Sequence, residues 1–210
     1  MEAEQNPFHT GRSLDTPNYL DDLISRFVPQ QRVCIQAGGH KGAWPYHLAR
    51  YFETVYTFEP FLENFIDLAS SGSMIPKFNY PLPENVFPFR AGLYAGTGRS
   101  LFQMAGKNRK KGHMIPGGGY YPIVSIDGIA PRHGVDLICL DIEGCELEAL
   151  IGAFRTLEQQ RPVLCIEINK CKQSPNQLHY KTTVPDVLSI IPAGYRQVET
   201  YGLDAVFVYG

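Results

Sequence analysis

The chain has 210 residues, a formal net charge of −2 and 44% apolar residues. That length predicts one α/β domain, residues 1–210, with a sizeable core, and the near-neutral charge excludes an overall pull toward nucleic acid or an anionic membrane. No apolar run approaches the length of a membrane span, and the N-terminal MEAEQNPFHTGRS lacks the basic and apolar regions of a signal peptide.

Five cysteines, at 34, 139, 145, 165 and 171, form no CxxC pair and no zinc-ligand pattern. Three of them sit in apolar strand runs, where cysteine acts as a small buried hydrophobe. A reduced, cytoplasmic setting follows as the expectation.

Residues 1–15 read as an irregular extension. Thr16-Pro17 has the form of an N-cap followed by a first-turn proline, and Leu20, Leu23, Ile24 and Phe27 share one face, so the pattern predicts a helix over 17–28. The stretch VCIQAGGHKGAWPYHLARYFETVYTFEP, residues 33–60, is the segment around which the remaining elements are organised. Its apolar start breaks into a glycine turn, Trp44, Leu48, Ala49 and Phe52 recur at helical spacing, and a second apolar run at 55–58 stops at Glu59-Pro60. Strand, glycine turn, helix, strand and acid is the order of a βαβ nucleotide unit, in which the acid at the second strand's end accepts ribose hydroxyls. The spacing G-G-x-x-G is not the dinucleotide pattern, and no P-loop sequence occurs. The inference from the residues is a nucleoside-containing cofactor, and the spacing argues against NAD and against a phosphate-cradling NTPase loop.

Helix 61–69 comes next, then a proline-broken loop over 72–88, and a third strand is predicted at 89–95. Residues 99–122 hold Lys107, Arg109, Lys110, Lys111 and His113 before a triple glycine, with neither helical nor strand period; they are expected to form a long loop or lid. A solvated loop and a substrate clamp both fit that composition. The continuous apolar run 135–140 predicts a strand in the middle of a parallel sheet, ending in Asp141-Ile142-Glu143-Gly144. A single helix is expected over 145–160, then a strand over 163–168 with Glu167 and Asn169 at its end, a helix over 183–191, and two antiparallel strands between Tyr195 and Val208. The order predicts a three-layer α/β sandwich with a mostly parallel sheet and an antiparallel C-terminal strand.

Ligands of such sheets bind beyond the strands' carboxyl ends. Gln36, the glycine turn, Glu59, residues 92–94, Asp141, Glu143, Glu167 and Asn169 all fall there. The acids also have structural uses: Glu59 can cap the helix at 61, and Glu143 precedes a helix N-terminus that favours a negative charge. Asp141, at the end of an otherwise apolar strand, is the hardest of them to explain structurally.

The segment VDLICLDIEGCELEALIGAFRTLEQQRPVLCIEIN resembles the signature of FkbM-type S-adenosylmethionine-dependent methyltransferases, with a strand ending in D-x-E-G-x-E, a helix carrying L-x-G-A, and a strand after R-P ending in Glu. Residues 33–60 are similar to the same family's cofactor turn and F-E-P. The resemblance implies a class I, Rossmann-like methyltransferase fold that uses S-adenosyl-L-methionine, with the ribose on Glu59 and the methionine end over Gln36, Ala37, Gly38, Gly39, His40 and Gly42, beside Trp44. It places the adenine near Pro60, Phe61, Gly92 and Leu93, and Asp141 at the amino group or the reacting centre. It implies O-methylation of a hydroxyl on a sugar, glycan or small natural product, with Asp141, Glu143 and Glu167 as base candidates and His113 behind them. A Mg2+ ion on Asp141, Glu167 and Asn169 ranks below metal-free chemistry. One departure is Gln36, where the family commonly has Asp; it removes a negative charge but keeps a hydrogen-bond acceptor. The alternatives are a non-catalytic protein that binds the same cofactor, and a nucleic-acid methyltransferase using the basic residues 107–111.

Overall fold

The computed structural model describes residues 19–69, 82–104, 112–116, 118–168 and 182–210, with backbone alone at 102–104 and 112–116. In chain order the first half runs α1 (Leu20–Phe27), β1 (Val33–Ala37), α2 (Ala43–Leu48), β2 (Thr54–Phe58), α3 (Leu62–Ala69), β3 (Val86–Phe89), β4 (Gly92–Leu93), β5 (Gly98–Met104), β6 (Gly112–Pro116) and β7 (Tyr121–Val124). The second half runs α4 (Ile126–Ile129), β8 (Val135–Leu140), α5 (Glu146–Ile151), α6 (Phe154–Gln160), β9 (Val163–Glu167), α7 (Val184–Ile190), β10 (Tyr195–Tyr201) and β11 (Asp204–Tyr209).

Seven strands form one sheet in the order β10-β11-β9-β8-β1-β2-β3. The five from β9 to β3 are parallel, and β11 and β10 close the sheet antiparallel, as the sequence predicts. Alternation along the buried strands separates two cores. Ile35, Ala37, Phe58, Ile138, Leu140, Leu164 and Ile166 face one side and pack with Ala149, Leu150 and Leu157 of the α5–α6 region and Val187 of α7. Cys34, Val55, Leu137, Cys139 and Cys165 face the other and pack with Leu23 and Ile24 of α1 and with Leu48 and Phe52. The result is the expected three-layer sandwich. Cys34, Cys139, Cys145 and Cys165 are all free and buried, filling core volume as apolar side chains do. No helix among the described residues is long and apolar enough to cross a membrane.

Three predicted elements differ. The third strand lies at 86–89, not 89–95, and contains a proline. The carbonyls of Asn85 and Phe89 accept from Val55 and Glu59, so Pro88, one residue out of phase, turns its missing N–H to the open side of this edge strand. The stretch 99–122 is not a structureless loop: β5 pairs antiparallel with β6 and β7 in a second sheet, ordered β4-β7-β5-β6. Its pattern reads inverted, with Ser100 fully buried and Leu101 48% exposed. The third difference is a break in the helix predicted over 145–160. A side chain at Gly152 would meet the Tyr94 carbonyl at 2.1 Å, and the Gly152 carbonyl accepts from Asp127 N at 2.8 Å. The Asp127 carboxylate then accepts from the backbone N–H groups of Arg155 and Thr156, so α6 starts on a cap supplied from α4.

Candidate functional site

The end of β1 opens into a turn with positive φ at Gly38 (86°), His40 (43°) and Gly42 (95°). Glycine relieves that conformation at two of the three positions. Gly38 N and Gly39 N both donate to the Phe58 carbonyl at 3.0 Å, tying the turn to the end of β2. A Cβ on Gly38 would lie 1.9 Å from the Asp141 carbonyl oxygen, and one on Gly39 would lie 2.6 Å from Thr57 Oγ1. Asp141 N in turn donates to the Ala37 carbonyl at 3.2 Å. The turn is thus wedged between the ends of β2 and β8, which brings the two acid-bearing strand ends together around it.

Glu59 sits at the end of β2 and is only 5% exposed. Its Oε2 accepts from His40 N at 2.8 Å and its Oε1 from Phe61 N at 3.0 Å. Burial raises its pKa, and the donors at Phe61, His40 and Asn64 work against that rise. Each oxygen takes one backbone donor and the Asn64 side chain donates as well, which leaves acceptor capacity on the carboxylate for a ligand hydroxyl such as one of a ribose. Both structural and ligand-binding uses of Glu59 are therefore compatible with one geometry.

The other cofactor candidates fall in different places. Gln36 is 1% exposed, and its Oε1 accepts from Thr57 Oγ1 at 2.5 Å. Ala37 lies in the core beside the turn. Trp44 packs in the α1-side core, edge-on to Tyr19 with ring centroids 6.4 Å apart. Pro60 and Phe61 are part-exposed next to Glu59. Gly92 and Leu93 are buried in β4, paired with Ile123 and Val124, while the chain leaving β3 is Arg90-Ala91.

Across the turn, Asp141, Glu143 and Glu167 gather at the ends of β8 and β9. Burial pushes the Glu167 carboxyl well above the ordinary carboxylate range, and the neighbouring Asp141, to which it hydrogen-bonds, pushes it further, as do Glu146 and Glu143. A carboxyl so placed holds its proton at neutral pH and shares it with Asp141. The loop between β8 and α5 carries positive φ at Glu143 (55°) and Gly144 (105°).

Two further acids complete the group, and neither stands out in the sequence. Glu146 is fully buried at the start of α5, and its carboxylate accepts from the N–H groups of Ile142 and Gly144. Its only signal is the last position of D-x-E-G-x-E, which looks like an ordinary helix-start acid. Asp204 stands opposite Glu167 in the β9–β11 register and takes a hydrogen bond from the Tyr19 hydroxyl. Tyr19 also stacks on Tyr201 at 4.7 Å. Among the described residues no group of three or more His, Cys, Asp or Glu side chains has an arrangement that holds a metal. Asn169 and the basic residues Lys107, Arg109, Lys110 and Lys111 lie outside the described residues, as does the His113 side chain.

The nearby second sheet covers this loop: Ile123, Tyr94 and Tyr121 pack with Ile142 and Cys145. The site thus has a glycine turn with a buried acid on one side, an acidic loop on the other, and an aromatic and aliphatic wall between the loop and the second sheet.

Known structures share this fold. An FkbM methyltransferase from Methylobacillus flagellatus KT is 22% identical with a TM-score of 0.57, the alignment covering 95% of this chain and 48% of that one. The chain therefore spans about half the length of that relative. A SAM-dependent methyltransferase from Aquifex aeolicus is 14% identical with a TM-score of 0.50, covering 93% of this chain and 90% of that one. The magnesium protoporphyrin IX methyltransferase from Synechocystis PCC 6803, solved with bound SAM, is 13% identical with a TM-score of 0.50, covering 90% and 77%. No curated protein sequence matches the chain. The Methyltransferase FkbM domain matches residues 36–197, and the chain belongs to that family.

Proposed function

We propose that the chain transfers a methyl group from S-adenosyl-L-methionine to a hydroxyl of a sugar, glycan or small natural product in the cytoplasm. The observation that carries this reading is the wedge of Gly38 against the Asp141 carbonyl, which sets a nucleoside-compatible turn directly beside an acidic loop. Family membership and a neighbour solved with SAM support the cofactor.

When bound, the cofactor supplies a methyl group already activated on a positively charged sulfur. The protein's share is alignment and proton removal. In this reading Glu59 accepts from the ribose, and the turn 37–42 lies under the methionine end. Asp141 is read as the base: Glu167 holds a proton and hydrogen-bonds to Asp141, which fixes the orientation of the Asp141 carboxyl beside the turn. Glu143 stands next to it as the second candidate. The acceptor lies against the wall formed by Tyr94, Tyr121 and Ile142, whose apolar faces suit a sugar ring or a polyketide surface.

Calorimetric titration with S-adenosylmethionine and with its demethylated product, S-adenosylhomocysteine, tests the cofactor. Micromolar binding without added Mg2+ is expected. Absence of binding to both compounds would overturn the reading, and a Mg2+ requirement would replace the metal-free chemistry. Tight binding with no turnover across a hydroxyl-acceptor screen would favour the non-catalytic alternative.

A further inference from the structure

Glu146 does something that stability does not require. A helix start is satisfied by an exposed Ser, Asp or Thr, whereas a fully buried carboxylate carries a desolvation cost. Here that cost is offset in part by a set of donors drawn from two separate places. Oε1 accepts from Ile142 N at 3.0 Å and Gly144 N at 3.1 Å, and Oε2 accepts from Gly144 N at 3.0 Å. Oε2 also accepts from Thr182 Oγ1 at 3.1 Å, a buried hydroxyl just ahead of α7.

The loop it grips is the one that presents Asp141 and Glu143, and Glu143 adopts a left-handed φ of 55° that a non-glycine residue holds only when its surroundings fix it. The same loop meets the glycine turn through Asp141 N to Ala37 O and through the close contact at Gly38. A continuous path of contacts therefore runs from Thr182 through Glu146 and the Ile142–Gly144 backbone to Asp141 and the turn.

We propose that Glu146 is the positioning residue of this site: one buried carboxylate that holds the Asp141–Gly144 loop in register with the glycine turn and ties it to the chain entering α7. Its effect on ligand binding rests on the methyltransferase reading; its grip on the loop does not.

Two variants separate the roles. Glu146→Gln keeps a carbonyl oxygen that can take both loop N–H groups, and Glu146→Ala keeps none. In the ligand-free protein, hydrogen exchange of the Ile142 and Gly144 amides is expected to accelerate about tenfold or more in the Ala variant, with the amides of β8 unchanged. S-Adenosylhomocysteine affinity is expected to weaken about tenfold in the Ala variant and to recover to within about threefold of wild type in the Gln variant. A purely structural role would lower the melting temperature and leave both the local exchange and the affinity of the folded protein unchanged, and that result would overturn the proposal. Should the Ala variant not fold, Thr182→Val removes one donor from the same carboxylate at nearly constant volume; unchanged exchange at Gly144 would then overturn it. Failure of wild type to bind S-adenosylhomocysteine would sink the methyltransferase reading, while the exchange data would still decide the role of Glu146.

Discussion

Glu59 and Glu146 are built alike and placed differently. Each is a carboxylate at most 5% exposed, each lies where the chain passes from a central strand into the helix that follows it, and each accepts backbone N–H groups from a turn with positive φ. Glu59 joins the turn after β1 to the entry of α3, with Asn64 as its side-chain neighbour. Glu146 joins the loop after β8 to Thr182, and it adds to the charge felt by Glu167 beside Asp141 and Glu143. The same device thus stands in two electrostatic settings: among the described residues no other acid acts on Glu59, whereas Glu146 is one of the acids that push up the Glu167 carboxyl.

The largest expected effect breaks the contact on which the two regions meet. Gly38→Ala would place a Cβ 1.9 Å from the Asp141 carbonyl at a φ of 86°, so the turn and the acidic loop must separate. S-Adenosylhomocysteine binding should fall below calorimetric detection and the melting temperature should drop. Binding at wild-type affinity would show that the two regions work independently.

Asp141→Asn tests the acidic side alone. The amide preserves size and backbone contacts but removes the base, so turnover on the acceptor that wild type methylates should fall about 10²–10⁴-fold, with S-adenosylhomocysteine binding retained. Wild-type turnover would take Asp141 out of the mechanism.

The proton balance of Glu146 provides a third test. Burial pushes its carboxyl up to about 7, from an ordinary value of 4.5. A carboxyl raised by folding is bound to a proton more tightly in the folded chain, so this group lowers stability as pH rises from about 4.5 through about 7; below that window it adds no penalty. Glu167, also shifted upward, acts in the same direction. The full penalty of Glu146 is on the order of 3 kcal/mol above pH 7. Urea unfolding from pH 5 to pH 8 should therefore show stability falling with pH, and Glu146→Gln should flatten that slope. An unchanged slope in the variant would assign the dependence to other groups.

The legibility of each element depends on where its signal resides. Continuous apolar strands and a glycine turn are local properties, so β1, β2, β8 and β9 and the turn at 37–42 can be read directly. The second sheet is hidden because burial at Ser100 and exposure at Leu101 oppose the usual alternation; Gly119 lies so close that a Cβ there would meet the Ser100 carbonyl at 2.1 Å, which leaves space only for small groups. The break before α6 depends on Asp127 and Tyr94, more than twenty residues away from it in the chain. On the site, Asp141 and Glu167 are visible as acids ending apolar strands. Asp204 is not: it joins them only through antiparallel pairing with β9. Gln36 reads as a strand-end cofactor ligand, but its amide oxygen is engaged by Thr57, a partner that only the β1–β2 register reveals.

The smallest expected effect sharpens the contrast between the two buried acids, since one substitution should act in opposite senses on them. Glu59→Gln keeps one acceptor oxygen and replaces the other with an amide that donates. That group faces either His40 N or Phe61 N, themselves donors, so one backbone N–H loses its partner and one ribose hydroxyl loses an acceptor. S-Adenosylhomocysteine affinity should weaken about tenfold, with thermal stability lowered slightly. At Glu146 the same change removes a buried charge from among other acids, so stability above pH 7 should rise while affinity is kept. Calorimetry and melting curves on the two variants side by side settle the comparison. Equal losses of affinity would mean that Glu146 also touches the cofactor, whereas equal retention would mean that the ribose is held by something other than Glu59.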